Sequence, residues 1–317
     1  MMIYRLHVDP ALLAACAGIL VLLTIATVIG FILRASVNTP SASATIANLN
    51  QRIYAWWVMC LVFGLTLAVG PSGSLVLFGL VSFLALREYI TLVETRRADH
   101  KTLFWTFFLF TPLQYVLLSI KWLGFFIVIP VYGFLFIPAA MALAGDTQSF
   151  LNRAAKIQWG LMLCVYCISY APALLVLDIH GYGPDAKLLL FLVIVGQLSD
   201  VLQYVWGKLI GRHKIAPNVS PNKTWEGFIG GTLSATAIGT GLWWLTPFSL
   251  PAAAAISFMI TLLGFGGGLV MSAIKRDRGI KDYGNLIRGH GGMLDRMDSM
   301  IFAAPVFFHV VRFFYGL

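Results

Sequence analysis

A series of long apolar runs constrains this chain more than any other feature. Runs of about 18 or more residues are typical of membrane-spanning helices, because a helix satisfies its own backbone hydrogen bonds where lipid offers no partner. About ten such runs are present, at residues 11–33, 53–70, 72–90, 103–120, 122–145, 158–177, 186–209, 227–247, 251–274 and 294–316. The first run follows a short, weakly charged segment without a small-residue cleavage site, so we interpret it as a retained span.

Composition excludes a soluble globular domain. Of the 317 residues, 59% are hydrophobic and 11% are charged, and the mean hydropathy is +0.84. In soluble domains about a quarter of the residues are charged. The sequence therefore predicts an all-α, polytopic integral membrane protein with about ten transmembrane helices.

The basic residues are distributed unevenly between the connections. The formal net charge is +9, and all but four of the 22 Lys and Arg residues fall on alternate connections if all ten runs are spans; the four are Arg5, Lys121, Lys187 and Arg312. Basic loops face the cytoplasm, which places these connections in the cytoplasm and both termini outside. Nucleic acid is not an expected partner of this charge, whereas anionic lipid headgroups and phosphorylated substrates are.

Polar residues divide the chain into two regions of one membrane domain. Residues 1–180 carry almost no charge inside the predicted spans, and we interpret them as transmembrane scaffold helices. Residues 181–317 contain three polar clusters, all on the predicted cytoplasmic face, and we expect the functional site there. A phosphate-binding loop of the Walker type is absent from the sequence.

The first cluster lies in the seventh run, and the second lies in the connection between the seventh and eighth runs. Asp200 falls in an otherwise apolar helix, where an ionisable residue normally faces a wet cavity or a partner; a structural salt bridge is the alternative. Ser220 begins a turn that opens the next helix, which places Lys223 and Thr224 near a helix N-terminus that favours anions. Lys223 is a candidate phosphate contact, with ordinary positive-inside charge as the alternative.

The third cluster, residues 272–299, contains charges at helical spacing. Ser272, Lys275 and Arg276 share one face at positions i, i+3 and i+4, where the ninth run meets the cytoplasm. Asp295 and Asp298 share a face in the same way at the start of the last run. Basic residues alone often mark the cytoplasmic end of a span, but this explanation does not account for the carboxylates.

A polar loop joins these two helix ends. It contains Lys281, Asp282 and the triplet 290–292, His-Gly-Gly, whose glycines allow the backbone to approach a ligand closely. Together with Asp295 and Asp298, this loop supplies three carboxylates among several cations. Such a composition suggests a hard divalent metal ion that meets a polyphosphate.

The residues of the third cluster resemble a family signature. The pattern S-x2-K-R-x4-K-D-x7-H-G-G-x2-D-R-x-D, from Ser272 to Asp298, is similar to that of phosphatidate cytidylyltransferases, also called CDP-diacylglycerol synthases. The segment SPNKTWEG at 220–227, and Asp200 with Tyr204, resemble companion motifs, so the likeness covers about residues 190–300. Arg288 stands where members often have proline, and Gln203 where a small residue is usual; these departures bear on lipid choice and loop geometry.

The resemblance implies the reaction of CTP with phosphatidate to give CDP-diacylglycerol and pyrophosphate. The lipid phosphate that attacks is already largely ionised near neutral pH, so no strong general base is required. The task of the protein is to bring two polyanions together, to align the attack on the α-phosphorus and to stabilise the leaving pyrophosphate. Mg²⁺ is the expected cofactor, and a second cation is left open.

The resemblance also implies roles for individual residues. We expect Mg²⁺ to be held by carboxylates, namely Asp282, Asp295 and Asp298 with Asp200 as a further ligand. Phosphates of either substrate would contact the cations Lys223, Lys275, Arg276, Lys281 and Arg296. Further substrate contacts are expected from Ser220, Thr224, Ser272, Gly291 and Gly292. His290 is expected either to donate to a phosphate or to order the loop.

Several alternatives remain at this point. CTP would arrive from the cytoplasm and the lipid from the bilayer, in an integral protein of a bacterial inner membrane, and a homodimer is left open. Other possibilities are transfer to a different lipid phosphate or a CTP-dependent lipid kinase. An anion transporter is a further alternative, although the charges lie at one face and not at the bilayer midplane.

Overall fold

Helices make up almost all of the protein in the computed structural model, which describes residues 9–36, 40–122, 124–179, 182, 186–286 and 291–316. In chain order the helices of these residues are α1 (Pro10–Ser36), α2 (Pro40–Val69), α3 (Pro71–Ile90), α4 (Arg97–Ser119), α5 (Val128–Leu143), α6 (Phe150–Val176), α7 (Lys187–Leu209), α8 (Trp225–Gly241), α9 (Leu250–Asp277) and α10 (Leu294–Tyr315). A turn of helix at Phe125–Ile127 precedes α5, and a 3-10 turn at Trp243–Leu245 follows α8. The prediction of an all-α membrane protein is confirmed.

Eight of these helices are long and apolar enough to cross a membrane. The two others, α5 and α8, are shorter and lie where the fifth and eighth runs are predicted; α8 has 17 residues. The run at 227–247 does not form one continuous helix, because α8 ends at Gly241 and the 3-10 turn follows. The chain is therefore polytopic. Eight helices could cross a membrane, and two shorter helices lie at the other two predicted spans.

A small β-hairpin separates α7 from α8. Strand β1 (Lys214–Ala216) pairs antiparallel with β2 (Ser220–Thr224), with Lys214 opposite Thr224 and Ala216 opposite Ser220. The Thr224 hydroxyl accepts a hydrogen bond from the Gly227 amide and so caps the N-terminus of α8. The predicted turn is thus a hairpin whose last residue begins a helix.

The buried core lies between α3, α6, α7, α9 and α10. Tyr170, Phe191 and Phe307 are among its largest fully buried side chains. The outer helices are different. In the most apolar 18-residue stretch of α1, only 6% of the residues are buried inside the protein, and the same share holds for α2. Apolar side chains that remain exposed on these helices suit contact with lipid.

Helices α7 and α8 pack unusually closely. If position 231 carried a side chain, its Cβ would lie 2.5 Å from the backbone nitrogen of Gln203. A Cβ at position 227 would lie 2.7 Å from the Gln203 carbonyl oxygen. Small residues let helix backbones approach in this way. The close contact fixes the hairpin, which joins the two helices, against the end of α7.

Ion pairs tie the connections together at both ends of the helical bundle. At one end Arg153 pairs with Asp99 at 2.5 Å, and Lys156 pairs with Glu94 at 3.3 Å. At the other end Lys121 pairs with Asp178 at 3.0 Å, and the Tyr182 hydroxyl donates to the Leu245 carbonyl oxygen. Alternate connections therefore meet at the same end, as expected for a chain that crosses the membrane back and forth.

Candidate active site

The hairpin presents Lys223 to α9, beside Phe265 and Gly268. The Lys223 Nζ lies 4.5 Å from the centre of the Phe265 ring. Gly268 leaves room for the ammonium group, since a Cβ there would lie 2.8 Å from Nζ. Burial lowers the pKa of Lys223, as does the charge of Lys275, while Asp200 and Asp298 act in the opposite direction. Lys223 is therefore a partly desolvated cation whose charge interacts with the carboxylates of Asp200 and Asp298.

Asp200 and Asp298 form the acidic part of this cluster. Asp200 belongs to α7 and Asp298 to the second turn of α10, and both side chains are half-buried. Their negative charges interact with each other and with the charges of Lys223 and Arg296, and Asp298 interacts most strongly with Lys275. Two interacting carboxylates that are partly shielded from water require nearby positive charge, which the lysines and the arginine supply.

Asp295 has hydrogen-bond partners of its own, although it lies only three residues before Asp298 on α10. Its Oδ1 accepts a hydrogen bond from Lys275 Nζ at 2.8 Å. Its Oδ2 accepts from the Tyr283 amide at 2.8 Å and from the Gly292 amide at 2.9 Å. Both oxygens are therefore occupied by protein donors, and Asp295 ties the two ends of the loop to α9.

Gly291 and Gly292 are needed for this loop geometry. Gly291 has φ of +83°, and a Cβ there would lie 2.7 Å from Asp295 Oδ2. Gly292 is buried, and a Cβ there would lie 2.4 Å from Glu88 Oε2. A left-handed backbone and a close approach both favour glycine. The structure thus gives these two glycines a conformational role next to the carboxylates.

The other predicted basic and hydroxyl residues lie around this cluster. Arg276 is exposed, and it donates to the carbonyl oxygens of Val219 at 3.2 Å and Ile280 at 2.8 Å, so it joins the hairpin to the loop. The Ser272 hydroxyl donates to the Gly268 carbonyl oxygen at 2.6 Å. The Arg296 Nε is buried and finds no hydrogen-bond partner among the described atoms.

The loop residues differ in their exposure. Lys281 and Asp282 are exposed, whereas Tyr283 is buried and its hydroxyl donates to the Met271 carbonyl oxygen at 3.0 Å. Ser220, at the start of β2, is half-buried. His290 and Arg288 lie outside the described residues, and so their predicted roles stay predictions.

The carboxylates in the described part of the chain do not form a ready-made metal site. No group of three or more His, Cys, Asp or Glu side chains among those residues is arranged to hold a metal ion. Asp200 and Asp298 interact as a pair, Asp295 is bonded to Lys275 and the loop, and Asp282 is exposed. A metal ion at this site would accordingly be held by two carboxylates together with ligands from a substrate.

Sequence reasoning missed one residue that reaches the site, Glu88 at the end of α3. Its carboxylate accepts hydrogen bonds from the Met293 and Leu294 amides, at 2.9 Å and 2.8 Å, at the start of α10. One signal was present in the sequence: an acid in the last turn of a helix is electrostatically unfavourable, because that end of the helix carries partial negative charge. The scaffold region therefore contributes directly to the surroundings of the candidate site.

Comparison with known proteins agrees with the likeness of the signature. Residues 50–314 match the cytidylyltransferase family. Uncharacterized protein YnbB of Escherichia coli (strain K12) is 41% identical over 266 residues, which are 83% of this chain and 87% of that protein.

Two further relatives bear the name phosphatidate cytidylyltransferase. The protein of Mycobacterium leprae (strain TN) is 40% identical over 169 residues, 52% of either chain. The protein of Staphylococcus aureus (strain COL) is 38% identical over 120 residues, 37% of this chain and 46% of that protein. The chain thus aligns with about half the length of these two relatives. Since the family match covers most of the chain and includes every element of the site, the protein belongs to the cytidylyltransferase family of nucleotidyltransferases.

Proposed function

We propose that this protein is a phosphatidate cytidylyltransferase, which converts CTP and phosphatidate into CDP-diacylglycerol and pyrophosphate. The main support is the charge interaction of Lys223 and Arg296 with the half-buried Asp200 and Asp298 in a bundle of membrane helices. Such a site combines strong positive charge with carboxylates where a lipid headgroup and a soluble nucleotide can meet. The names of the two phosphatidate cytidylyltransferase relatives support the same reaction.

The chemistry suits these residues. A phosphate oxygen of the lipid attacks the α-phosphorus of CTP, a new P–O bond forms, and the bond to the bridging oxygen of the β-phosphate breaks, so that pyrophosphate leaves with the electron pair. The attacking phosphate is already ionised, so the protein needs to remove no proton. Repulsion between the two polyanions is the main obstacle, and Lys223 and Arg296 lower it by binding phosphate oxygens.

Mg²⁺ is the metal that best fits the site. It is usually held by one or two carboxylates, with substrate phosphates and water completing its shell, and the pair Asp200 and Asp298 matches this requirement. We assign these two residues as its ligands in place of the larger set that includes Asp282 and Asp295, because Asp295 is bonded to Lys275 and Asp282 is exposed. When bound, the ion would neutralise charge on the nucleotide phosphates. A second cation stays open.

The orientation of the protein follows from its charges. We propose that it lies in the inner membrane of a bacterium, with the site facing the cytoplasm and both termini outside. Lys208, Arg212, Lys214, Arg276 and Lys281 are exposed at the same end of the bundle as the site. CTP would enter from the cytoplasm, and phosphatidate would enter laterally from the bilayer.

A lipid panel tests this proposal. The purified protein in detergent is mixed with CTP, Mg²⁺ and one lipid at a time: phosphatidate, an isoprenoid-ether phosphate, or diacylglycerol. We expect pyrophosphate release with phosphatidate, and none with diacylglycerol. Release of CDP with diacylglycerol would indicate a lipid kinase, preference for the ether phosphate would indicate another lipid substrate, and no release with any lipid would contradict the proposal.

A further inference from the structure

Glu88 reaches the start of α10 from a distant part of the chain. We infer that Glu88 is a positioning residue, which holds the first turn of α10 and thereby sets the position of Asp298 in the site. The inference rests on the proposed function, because the consequence it predicts is a change in turnover. It concerns a residue of the scaffold region, some 200 residues away in sequence from the helix that it contacts.

The hydrogen bonds of Glu88 satisfy donors that α10 cannot satisfy itself. The first four N–H groups of a helix have no partner within the helix. Met293 and Leu294 stand at this position, and no side-chain cap from Met293 is present. Glu88 Oε1 accepts from the Met293 amide at 2.9 Å and Oε2 accepts from the Leu294 amide at 2.8 Å. One carboxylate from α3 thus serves as the cap of α10.

The partial charges of the two helix ends explain why Glu88 contacts α10. Glu88 is in the last turn of α3, where the partial negative charge of the helix end disfavours an acid, and α10 presents the partial positive charge of its N-terminus. The carboxylate lies between the two helix ends and interacts favourably with the second one. Glu88 therefore gains its stabilisation from α10 and not from its own helix.

The loop is built to admit this carboxylate. A Cβ on Gly292 would lie 2.4 Å from Glu88 Oε2, and a Cβ on Gly284 would lie 2.9 Å from Glu88 Oε1. Any larger residue at position 292 would push the carboxylate away from the two amides. Glycine at these two positions and glutamate at position 88 are consequently parts of one arrangement.

The contact has a consequence for substrate binding. Because the carboxylate occupies the Met293 and Leu294 amides, these N–H groups are not free to bind a phosphate, as helix N-termini often do. Phosphate binding then depends on side chains such as Lys223 and Arg296. Asp298 lies one turn after the cap, so the loss of Glu88 would let the first turn of α10 loosen and shift this carboxylate.

Three variants and a control test the inference. Glu88→Ala removes both acceptors, and Glu88→Gln keeps one carbonyl oxygen of the same reach. Gly292→Ala leaves Glu88 in place but displaces its carboxylate. Glu94→Gln is the control, since Glu94 is an exposed acid that follows α3 and pairs only at the surface with Lys156.

Two readouts separate positioning from simple folding. Hydrogen–deuterium exchange of the Met293 and Leu294 amides reports the cap itself, and kcat and KM for phosphatidate report its effect on turnover. In Glu88→Ala we expect faster exchange at these amides and a kcat that is roughly 10- to 100-fold lower, with KM for phosphatidate unchanged. Glu88→Gln should fall between this variant and the wild type, Gly292→Ala should resemble Glu88→Ala, and Glu94→Gln should match the wild type.

Several outcomes would overturn the inference. It is wrong if Glu88→Ala leaves the exchange of both amides unchanged. It is equally wrong if kcat falls only in proportion to a loss of folded protein and Glu88→Gln restores nothing. A wild-type protein that releases no pyrophosphate would contradict the proposed function, but the exchange measurement would still decide whether Glu88 caps α10.

Discussion

Lys275 and Asp295 form an ion pair at 2.8 Å, and their side chains are 11% and 4% exposed. The pair joins α9 to α10 at the end where the candidate site lies. Asp295 also accepts the Tyr283 and Gly292 amides, so that one carboxylate fixes both ends of the intervening loop. The buried pair thus supports the loop and the helix end next to Asp298.

Replacing Asp295 by Asn should lower the free energy of unfolding of the protein. The substitution leaves the buried Lys275 ammonium without its counter-charge, and breaking a buried pair in this way costs roughly 3–5 kcal/mol. The free energy of unfolding in detergent, from denaturant titration, measures the loss. Asp282→Asn is the control for stability, because Asp282 is exposed. An Asp295→Asn protein as stable as the wild type would contradict the structural role of the pair.

Asp298→Asn and Asp200→Asn should behave differently from Asp295→Asn. Each removes one carboxylate but leaves the Lys275–Asp295 ion pair intact, so the loss of stability should be smaller than in Asp295→Asn. Turnover should fall by about 10²–10³-fold, as expected when a group that stabilises transition-state charge is lost, with a higher Mg²⁺ requirement. Asp277→Asn is the control, because Asp277 is exposed at the end of α9 and pairs with Arg278. Normal activity of Asp298→Asn would refute the metal assignment.

Gly268→Ala should impair CTP binding through Lys223. A Cβ at position 268 would lie 2.8 Å from Lys223 Nζ and would displace the ammonium group from the site. We therefore expect a higher KM for CTP with little change in stability. Gly266→Ala is a matched control on the same helix, since a Cβ there meets no atom within 4 Å. Equal KM values for CTP in the two variants would rule out a role for this gap.

Glu226 gives the hairpin a pH dependence. Hydrogen bonds from the His213 side chain and from the Arg212 and His213 amides lower the pKa of Glu226 to about 2. A folded-state pKa below the unfolded value, about 4.3, means that the stabilisation is present above pH ~4.3 and is lost as the pH falls toward 2.

Glu226→Gln should therefore have a lower thermal midpoint than the wild type at pH 7, and the difference should shrink as the pH falls below about 4. Thermal unfolding of both proteins across this pH range measures it. A difference that is constant with pH would show that the ionised carboxylate does not stabilise the hairpin.

The sequence was sufficient to predict the helical membrane fold and the region of the site. Apolar runs mark helices directly, and charges that are costly in a membrane stand out where they occur, as Asp200 does. The spacing of Asp295 and Asp298 placed them on one face of a helix, but it did not reveal their different partners. Those partners, Lys275 for both carboxylates and also Asp200 and Lys223 for Asp298, come from α9, α7 and the hairpin, which meet only in three dimensions.

Two other features depend on contacts that local patterns do not contain. Glu88 contacts residues more than 200 positions away, so its role is visible only once α3 and α10 are packed together. The shortening of α8 follows from the 3-10 turn after Gly241, although the apolar run itself continues to residue 247. Hydropathy alone does not distinguish a continuous helix from a helix followed by a tight turn.

The central claim is tested most directly by measuring which phosphate of CTP is transferred to the lipid. The purified protein is given phosphatidate, Mg²⁺ and CTP labelled in one sample at the α-phosphate and in another at the γ-phosphate. We predict that the α label appears in the lipid fraction and the γ label in pyrophosphate, with both transfers lost in Asp298→Asn. Transfer of the γ label to lipid with release of CDP, or no transfer of either label, would contradict the account.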